Sequence, residues 1–404
     1  MRAAIAGEQP LEIVGHGSKR QVGQVMATNA VLDLSPLSAV SAYEPAELII
    51  TVQAGAPLAD VMSLLDSKNQ QFAFEPVNLA SLLGTAERGT VGGMIGAGFA
   101  GPRRIKAGGV RDHLLGAHAV SGFGESFKTG GKVVKNVTGY DLCKLLAGSW
   151  GTLAVMTEVT LKVVPRPEAE STLVLRGLDH LAANRAMTAA LGSPFDVSAA
   201  AHLPASASRG EAAGLDKLGS LKEAVTLLRL EGIAASVRHR AGSLTEMLKP
   251  FGTVELAEEA ASQAAWSIIR DAGPFAANGP LGAWPVWRII APPASGGALG
   301  EALVRETGGE VIYDWGGGLI WAALPPEPHA KSDAKPDSQA ALVRQRAAAL
   351  GGHAMLVRGP VELRREIDVF HPQPAGLVAL SERVRNSFDP RRILNRGRLR
   401  REGA

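Results

Sequence analysis

Short apolar runs punctuated by glycine, and not long amphipathic stretches, set the rhythm of the first 167 residues. Leu11, Ile13 and Val14 form such a run and lead into Gly15-His16-Gly17-Ser18, which predicts a strand ending in a tight turn. Residues 47–53 predict another strand. Pro57 then opens a helix over 57–68, with Leu58, Val61, Met62 and Leu65 on one face. Between 84 and 109 glycine recurs so often that the segment reads as too glycine-rich for an ordinary helix. Strand character resumes at 114–120, a hairpin-like turn follows at 122–124, and Leu153, Val155, Val159, Leu161 and Val163 alternate along a last strand before Pro165 and Pro167.

The remainder mixes apolar strands (172–175, 224–230, 286–291, 311–313, 319–324) with helical stretches at 181–191 and 339–350, an α+β pattern. Segments 205–219 and 325–338 are rich in Ala, Pro, Ser and charge and read as solvated loops. Leu377, Leu380, Val384 and Phe388 are spaced as one helix over 375–388. Asp389-Pro390 stops that helix before a basic tail carrying Arg391, Arg392, Arg396, Arg398, Arg400 and Arg401. With 404 residues, more than one core is expected, and we divide the chain into 1–167, 168–374 and 375–404.

Composition narrows the function classes. Forty-seven glycines against 10 Phe, 6 Trp and 3 Tyr imply that backbone, more than aromatic bulk, shapes something. A net charge of +3 is too small to indicate a nucleic-acid partner, and the arginines after Pro390 lack the interleaved aromatics of a single-strand binder. Cys143 is the sole cysteine, which excludes an internal disulfide and an iron–sulfur cluster held by this chain's thiolates alone. No apolar stretch approaches the roughly 20 residues of a membrane span, and the first ten residues lack a signal-peptide core, so a cytoplasmic protein is expected.

Three segments carry the chemistry. In the first, Gly15, His16, Gly17 and Ser18 expose consecutive backbone N–H groups beside a hydroxyl, and Lys19 and Arg20 add positive charge, a loop suited to a pyrophosphate as well as to a plain turn. It lacks the G-x-G-x-x-G spacing of a Rossmann fingerprint. The second runs Gly89-Thr90-Val91-Gly92-Gly93-Met94-Ile95-Gly96-Ala97-Gly98-Phe99-Ala100-Gly101-Pro102-Arg103-Arg104, small enough for backbone to lie against a flat ligand. The third is Lys135-Asn136-Val137-Thr138-Gly139-Tyr140-Asp141-Leu142, followed by Gly148-Ser149-Trp150-Gly151-Thr152-Leu153-Ala154-Val155.

In this order and spacing the three segments resemble the FAD-binding domain of the vanillyl-alcohol-oxidase/p-cresol-methylhydroxylase (PCMH) superfamily, and within it the FAD-binding subunits of bacterial glycolate oxidases. The resemblance covers roughly residues 11–167, with Phe388-Asp389-Pro390 and Asn395-Arg396-Gly397-Arg398-Leu399 near the end. It implies a PCMH-type domain of two small subdomains, then a smaller α+β cap with an antiparallel sheet, and a C-terminal helix that returns to the first domain. It also implies FAD held by Gly15, His16, Gly17, Ser18, Lys19, Thr90, Val91, Gly92, Gly93, Ala97, Gly98, Gly101, Gly139, Tyr140, Gly151, Val155 and Asn395. Arg103 and Arg104 are expected to meet phosphate or the flavin ring, where positive charge favours the reduced anion, although a solvated turn is their bland alternative. Relatives with covalent flavin place the attachment histidine where Ser18 stands here, so the FAD is expected to be noncovalent. Arg396 replaces the usual proline of Asn-Pro-Gly.

The resemblance further implies a complex with a homologous catalytic flavin subunit and an iron–sulfur subunit that passes electrons onward, peripheral to the inner membrane. Relatives that oxidise D-2-hydroxy acids carry H-x-G-D-G-N-x-H and E-H-G metal segments, and neither occurs here. No catalytic residue and no metal ligand is therefore assigned. The expectation is a flavin subunit that takes part in electron transfer from glycolate or D-lactate. The alternatives are a self-sufficient 2-hydroxy-acid dehydrogenase and a structural subunit without flavin.

Overall fold

The computed structural model describes residues 1–28, 30–86, 89–131, 140–208, 215–218, 222–326 and 338–401. In the first half, β1 (Leu11–Val14) and β2 (Ala30–Asp33) make a small parallel pair. The main sheet there comprises β3 (Val40–Glu44), β4 (Ile49–Gln53), β6 (Leu114–Ser121), β7 (Ser126–Gly130) and β8 (Ala154–Lys162). These run antiparallel in the order β3-β4-β8-β6-β7, and β5 (Gln70–Gln71) pairs with β9 (Val164–Pro165) as a short ribbon. The helix Leu58–Asp66 buries Leu58, Val61 and Leu65 of the face its spacing predicts against Ile50, Val52, Val159 and Leu161 of this sheet, while Met62 is exposed.

Glycine density does not prevent a helix between the loops. Val91–Ala97 is helical despite Gly92, Gly93 and Gly96, because Thr90 caps it by accepting from Gly93 N at 3.2 Å, and Val91, Met94 and Ile95 are buried. Burial of one apolar face outweighs the low helix propensity of the glycines.

The second half forms one eight-stranded antiparallel sheet: β10 (Ala169–Arg176), β11 (Ala199–Leu203), β12 (Val225–Gly232), β13 (Val254–Ala257), β14 (Val286–Ile290), β15 (Glu310–Asp314), β16 (Leu319–Ala323) and β17 (His353–Arg358). Their order is β13-β10-β12-β11-β15-β16-β14-β17. The cap sheet has eight strands where the sequence predicts five, and it runs from Ala169 to Arg358 against Leu11 to Pro165 for β1 to β9, so the cap is not the smaller body expected. The extra strands are β11, β13 and β17. β11 reads Ala-Ala-Ala-His-Leu, buried on both faces and therefore without period-2 alternation, and β13 is only four residues long at the edge.

Helices including His180–Leu191, Ala234–Leu248 and Gly296–Thr307 cover one face of the cap sheet, burying Met187, Leu244 and Leu303. The other face packs on the first half, where Val174, Leu227, Ile312 and Trp321 share a core with Leu79, Leu82, Phe99 and Trp150. The chain then returns. After the helix Ala375–Phe388, Leu11 N donates to Ile393 O at 2.8 Å and Asn395 N to Leu11 O at 3.0 Å, so the tail lies alongside β1.

A buried charge cluster fixes the two bodies together. Arg229 of β12, 1% exposed, donates to both carboxylate oxygens of Glu75 at 2.9 Å. Arg103 in turn chelates Glu231 of β12 through Nε at 3.0 Å and also meets Glu75. Burial alone would raise the Glu231 carboxyl, but Arg229 and Arg103 overcome it and hold the group at about 2.

Arg229→Met should therefore cost roughly 3–5 kcal/mol in urea unfolding, and adding Glu75→Gln should recover part of it, because the charge left unpaired is what costs most. An unchanged urea midpoint in the single variant would refute this. As the Glu231 pKa is depressed in the folded state, its contribution is complete above the ordinary carboxylate value near 4.5. It is lost as pH falls from there toward about 2, so the stability difference between wild type and Glu231→Gln should shrink over that window.

Candidate functional site

The return of the tail, the β1 loop and the turn before β8 enclose a cleft of about 760 Å³, counting its open mouth. Its first wall is the loop after β1. Gly15 is required there by close approach, since a Cβ would stand 2.5 Å from Thr90 Oγ1. The backbone N–H groups of Gly15, Gly17, Ser18 and Lys19 donate to no protein carbonyl among the described residues. A short run of unpaired donors on a concave loop is an anion-binding feature. The opposite wall is the helix Val91–Ala97, but its first N–H groups are already committed, Val91 to Ala56 O and Gly92 to Ala54 O. Gly92 and Gly93 thus serve close contact and not charge neutralisation.

The third wall is the turn before β8, joined to the tail by Asn395. This side chain accepts from Ile13 N at 2.8 Å and donates to Trp150 O at 2.7 Å, and it is 4% exposed. Gly151 lies so near that a Cβ would meet Asn395 Nδ2 at 2.8 Å. Two cations complete the lining. Burial lowers Lys19 to about 8, its Nζ having only Ser18 Oγ at 3.4 Å, and lowers Arg398 to about 10. Arg398 donates only to the carbonyls of Arg20 and Lys19 and lies over the Trp150 ring at 5.8 Å. Desolvated cations with no ion-pair partner among the described residues, beside free N–H donors, are the signature of a site that expects a phosphate-bearing ligand.

Of the residues singled out from sequence, Gly15, His16, Gly17, Ser18, Lys19, Thr90, Gly92, Gly93, Ala97, Gly151 and Asn395 line this one cleft. Others are elsewhere. Val91 is in the core beneath it, and Tyr140 is 93% exposed. Val155 faces the opposite way, onto Leu11, Ile393 and Leu394. A register shift between His118 and Ala119 of β6 breaks the alternation opposite Met156, so Ala154 and Met156 reach the cleft in its place. Gly98 packs on Gly148, and Gly101 on Glu75 and Arg270. Arg103 is held by Glu231 and Glu75 in a second, more polar cleft between the bodies, and Arg104 lies over Trp315 at 4.5 Å. Neither arginine reaches the first cleft. Gly139 lies outside the described residues, as does the rest of 132–138.

Sequence reasoning missed Arg398, Trp150, Ala54 and Met156 in the lining. Arg398 was one arginine among six in a basic tail, and only the strand-like return of 393–395 selects it. Trp150 takes φ +54°, an unusual conformation for a bulky residue, which aims its ring between the cleft and Phe99.

Comparison with known proteins agrees with this geometry. Residues 1–130 match the model of an FAD binding domain family. The fold is the PCMH type: p-cresol methylhydroxylase superposes with a TM-score of 0.67 over 98% of this chain and 85% of its own, at 13% identity. A 4-ethylphenol oxidase from Gulosibacter chungangensis does so with 0.68 over 99% and 87%, at 14% identity. The site and fold define an FAD-linked oxidoreductase. More narrowly, the chain is 31% identical over 98% of its length, and 94% of the relative's, to glycolate oxidase subunit GlcE of Escherichia coli K12, and it belongs to that subunit's family. Half of it is also 32% identical to 40% of glycolate oxidase subunit GlcD of Bacillus subtilis.

Lys19→Met separates ligand binding from folding. FAD affinity should fall about tenfold or more with loss of a charge-assisted contact. The flavin-free protein should be no less stable than wild type, because a poorly compensated buried ammonium has been removed. Since the folded pKa of Lys19 is lowered, flavin-free wild type should gain stability as pH rises from about 8 toward the unfolded value of 10.5, and the variant should not. Equal FAD affinity of the two proteins by fluorescence titration would contradict the assignment.

Proposed function

We propose that this chain is a noncovalent FAD-binding subunit of a 2-hydroxy-acid oxidising complex, acting in electron transfer from glycolate or D-lactate. The observation that carries the reading is the cleft in which unpaired N–H groups after β1, Lys19 and Arg398 converge with no acidic side chain in the lining, Glu12 acting on Arg398 from outside it. In this reading Gly15, Gly17, Ser18 and Lys19 hold the pyrophosphate. Thr90, Gly92, Gly93 and Ala97 give a flat wall, and Asn395 fixes the tail that closes the site. FAD, when bound, supplies the two-electron acceptor that the chain's own side chains lack. His16 lies in the lining, and Ser18, at the position where covalent relatives have histidine, offers no ring nitrogen for attachment.

Names of relatives support the substrate class: besides the two glycolate oxidase subunits, a D-lactate dehydrogenase of Anaerostipes hadrus is 31% identical over 36% of the chain. They also support assembly, and we propose as partners a homologous catalytic flavin subunit and an iron–sulfur subunit. The complex would be cytoplasmic and peripheral to the inner membrane; no helix among the described residues is long and apolar enough to cross one. We further propose the functional division 1–167 for flavin, 168–374 for the cap and 375–404 for closure.

The purified protein should show flavin absorbance near ~370 and ~450 nm that survives anaerobic glycolate and D-lactate and bleaches only with the partner subunits present. Bleaching of the isolated chain by either acid would replace this reading with a self-sufficient dehydrogenase. A colourless protein that takes up no added FAD would replace it with a structural subunit.

A further inference from the structure

One cation on the cap sheet is not used by anything described so far. Arg288 sits mid-strand in β14, and its neighbours across the sheet, Trp321 of β16 and Met355 of β17, belong to the layer that packs on the first half. Its guanidinium carbon lies 5.2 Å from the Phe99 ring and 5.1 Å from the Trp315 ring. Among the described residues it makes no hydrogen bond and no ion pair, so its five N–H donors are uncommitted.

The surroundings add positive charge. Arg104, exposed and also without an ion pair among the described residues, shares the Trp315 ring at 4.5 Å. His353 of β17 pairs with Ile290, two residues from Arg288, and so stands on the same sheet face; burial and then Arg288 lower its pKa, so it brings a neutral ring N–H and not a charge. Burial, then Arg104, brings Arg288 down to about 9. Asp314, which precedes Trp315, spends one oxygen on Trp315 N at 2.7 Å and is pushed up to about 8 by burial, so its pull on Arg288 only partly offsets burial and Arg104. An arginine over aromatic rings, with no hydrogen bond or ion pair among the described residues, is costly to desolvate unless an anion completes it.

We propose that Arg288, with Arg104 and His353, is a seat for the carboxylate of a small organic acid, at the seam between the cap and the flavin half. This rests on the functional reading above and names the group by which the chain would recognise its acid. The guanidinium's N–H donors have no protein partner among the described residues, and their fork matches a carboxylate with two parallel hydrogen bonds. Position fits as well: Phe99 stacks edge-on against Trp150 at 6.0 Å, and Trp150 lines the flavin cleft. The seat and the cleft are thus separated by one aromatic pair.

Oxalate, a two-carbon acid that carries carboxylates and no oxidisable hydroxyl, is the probe. It is titrated into the flavin-loaded wild type, Arg288→Met, Arg288→Lys and Arg104→Met, with heat of binding and tryptophan fluorescence as readouts and flavin absorbance recorded on each sample. Saturable binding that weakens with salt is expected in wild type. It should drop about tenfold or more in Arg288→Met, less in Arg288→Lys, and severalfold in Arg104→Met, with flavin content unchanged. Arg104 is exposed, so that variant decides the matter if Arg288→Met fails to fold. Wild-type oxalate affinity in both methionine variants, or no saturable binding by a fully yellow wild type, overturns the seat while leaving the flavin reading intact. Absence of flavin from every sample overturns that reading, and the oxalate titration then still judges the seat.

Discussion

A single amide holds the cleft together. Asn395 joins β1 through Ile13, the turn before β8 through Trp150, and its own tail segment, three stretches that are remote in sequence and adjacent in space. It is buried, and both ends of its amide are satisfied, the arrangement in which a polar group specifies one packing and not merely a compact one. Asp389 supports it from upstream, its two oxygens accepting from Ile393 N at 2.9 Å and Leu394 N at 2.8 Å. The glycines on either side follow from this constraint: where three backbones converge on one small side chain, Gly151 has no space for a Cβ.

The charges fall into two kinds that do different work. Arg229, Arg103, Glu75 and Glu231 neutralise one another across the two bodies and make the seam rigid. Lys19, Arg398 and Arg288 are desolvated without such partners. A fold can carry a few unbalanced cations only because its large apolar layers, such as the one uniting Trp321, Phe99 and Trp150, supply stability elsewhere.

Much of the site was legible because its physical requirement is local. Gly15 to Lys19 read as an anion loop from five consecutive residues, and Thr90 to Gly93 as close-approach backbone. What stayed hidden depended on distant partners. Arg103 looks like Arg104 in sequence, and only Glu231, 128 residues away, removes it from the phosphate candidates. Val155 obeys the alternation expected of a strand, yet an extra residue in β8 itself, Thr157 between the partners of His118 and Ala119, puts it on the face opposite Val159 and away from the cleft. The cap strands with clear apolar runs were visible, but β11 was concealed by its alanines, since a strand buried on both sides carries no alternation to read.

The pairing of Leu11 with residues 393–395 also sets an order of events during biosynthesis. A ribosome that has made the first 170 residues has made the five-stranded sheet but not the strand-like partner of β1, nor Asn395 or Arg398. The cap, encoded between them, has the opportunity to fold as a unit before the last thirty residues emerge. The ligand cleft is therefore a product of chain completion, and a nascent or prematurely ended chain carries its glycine loops without the wall that makes them a container.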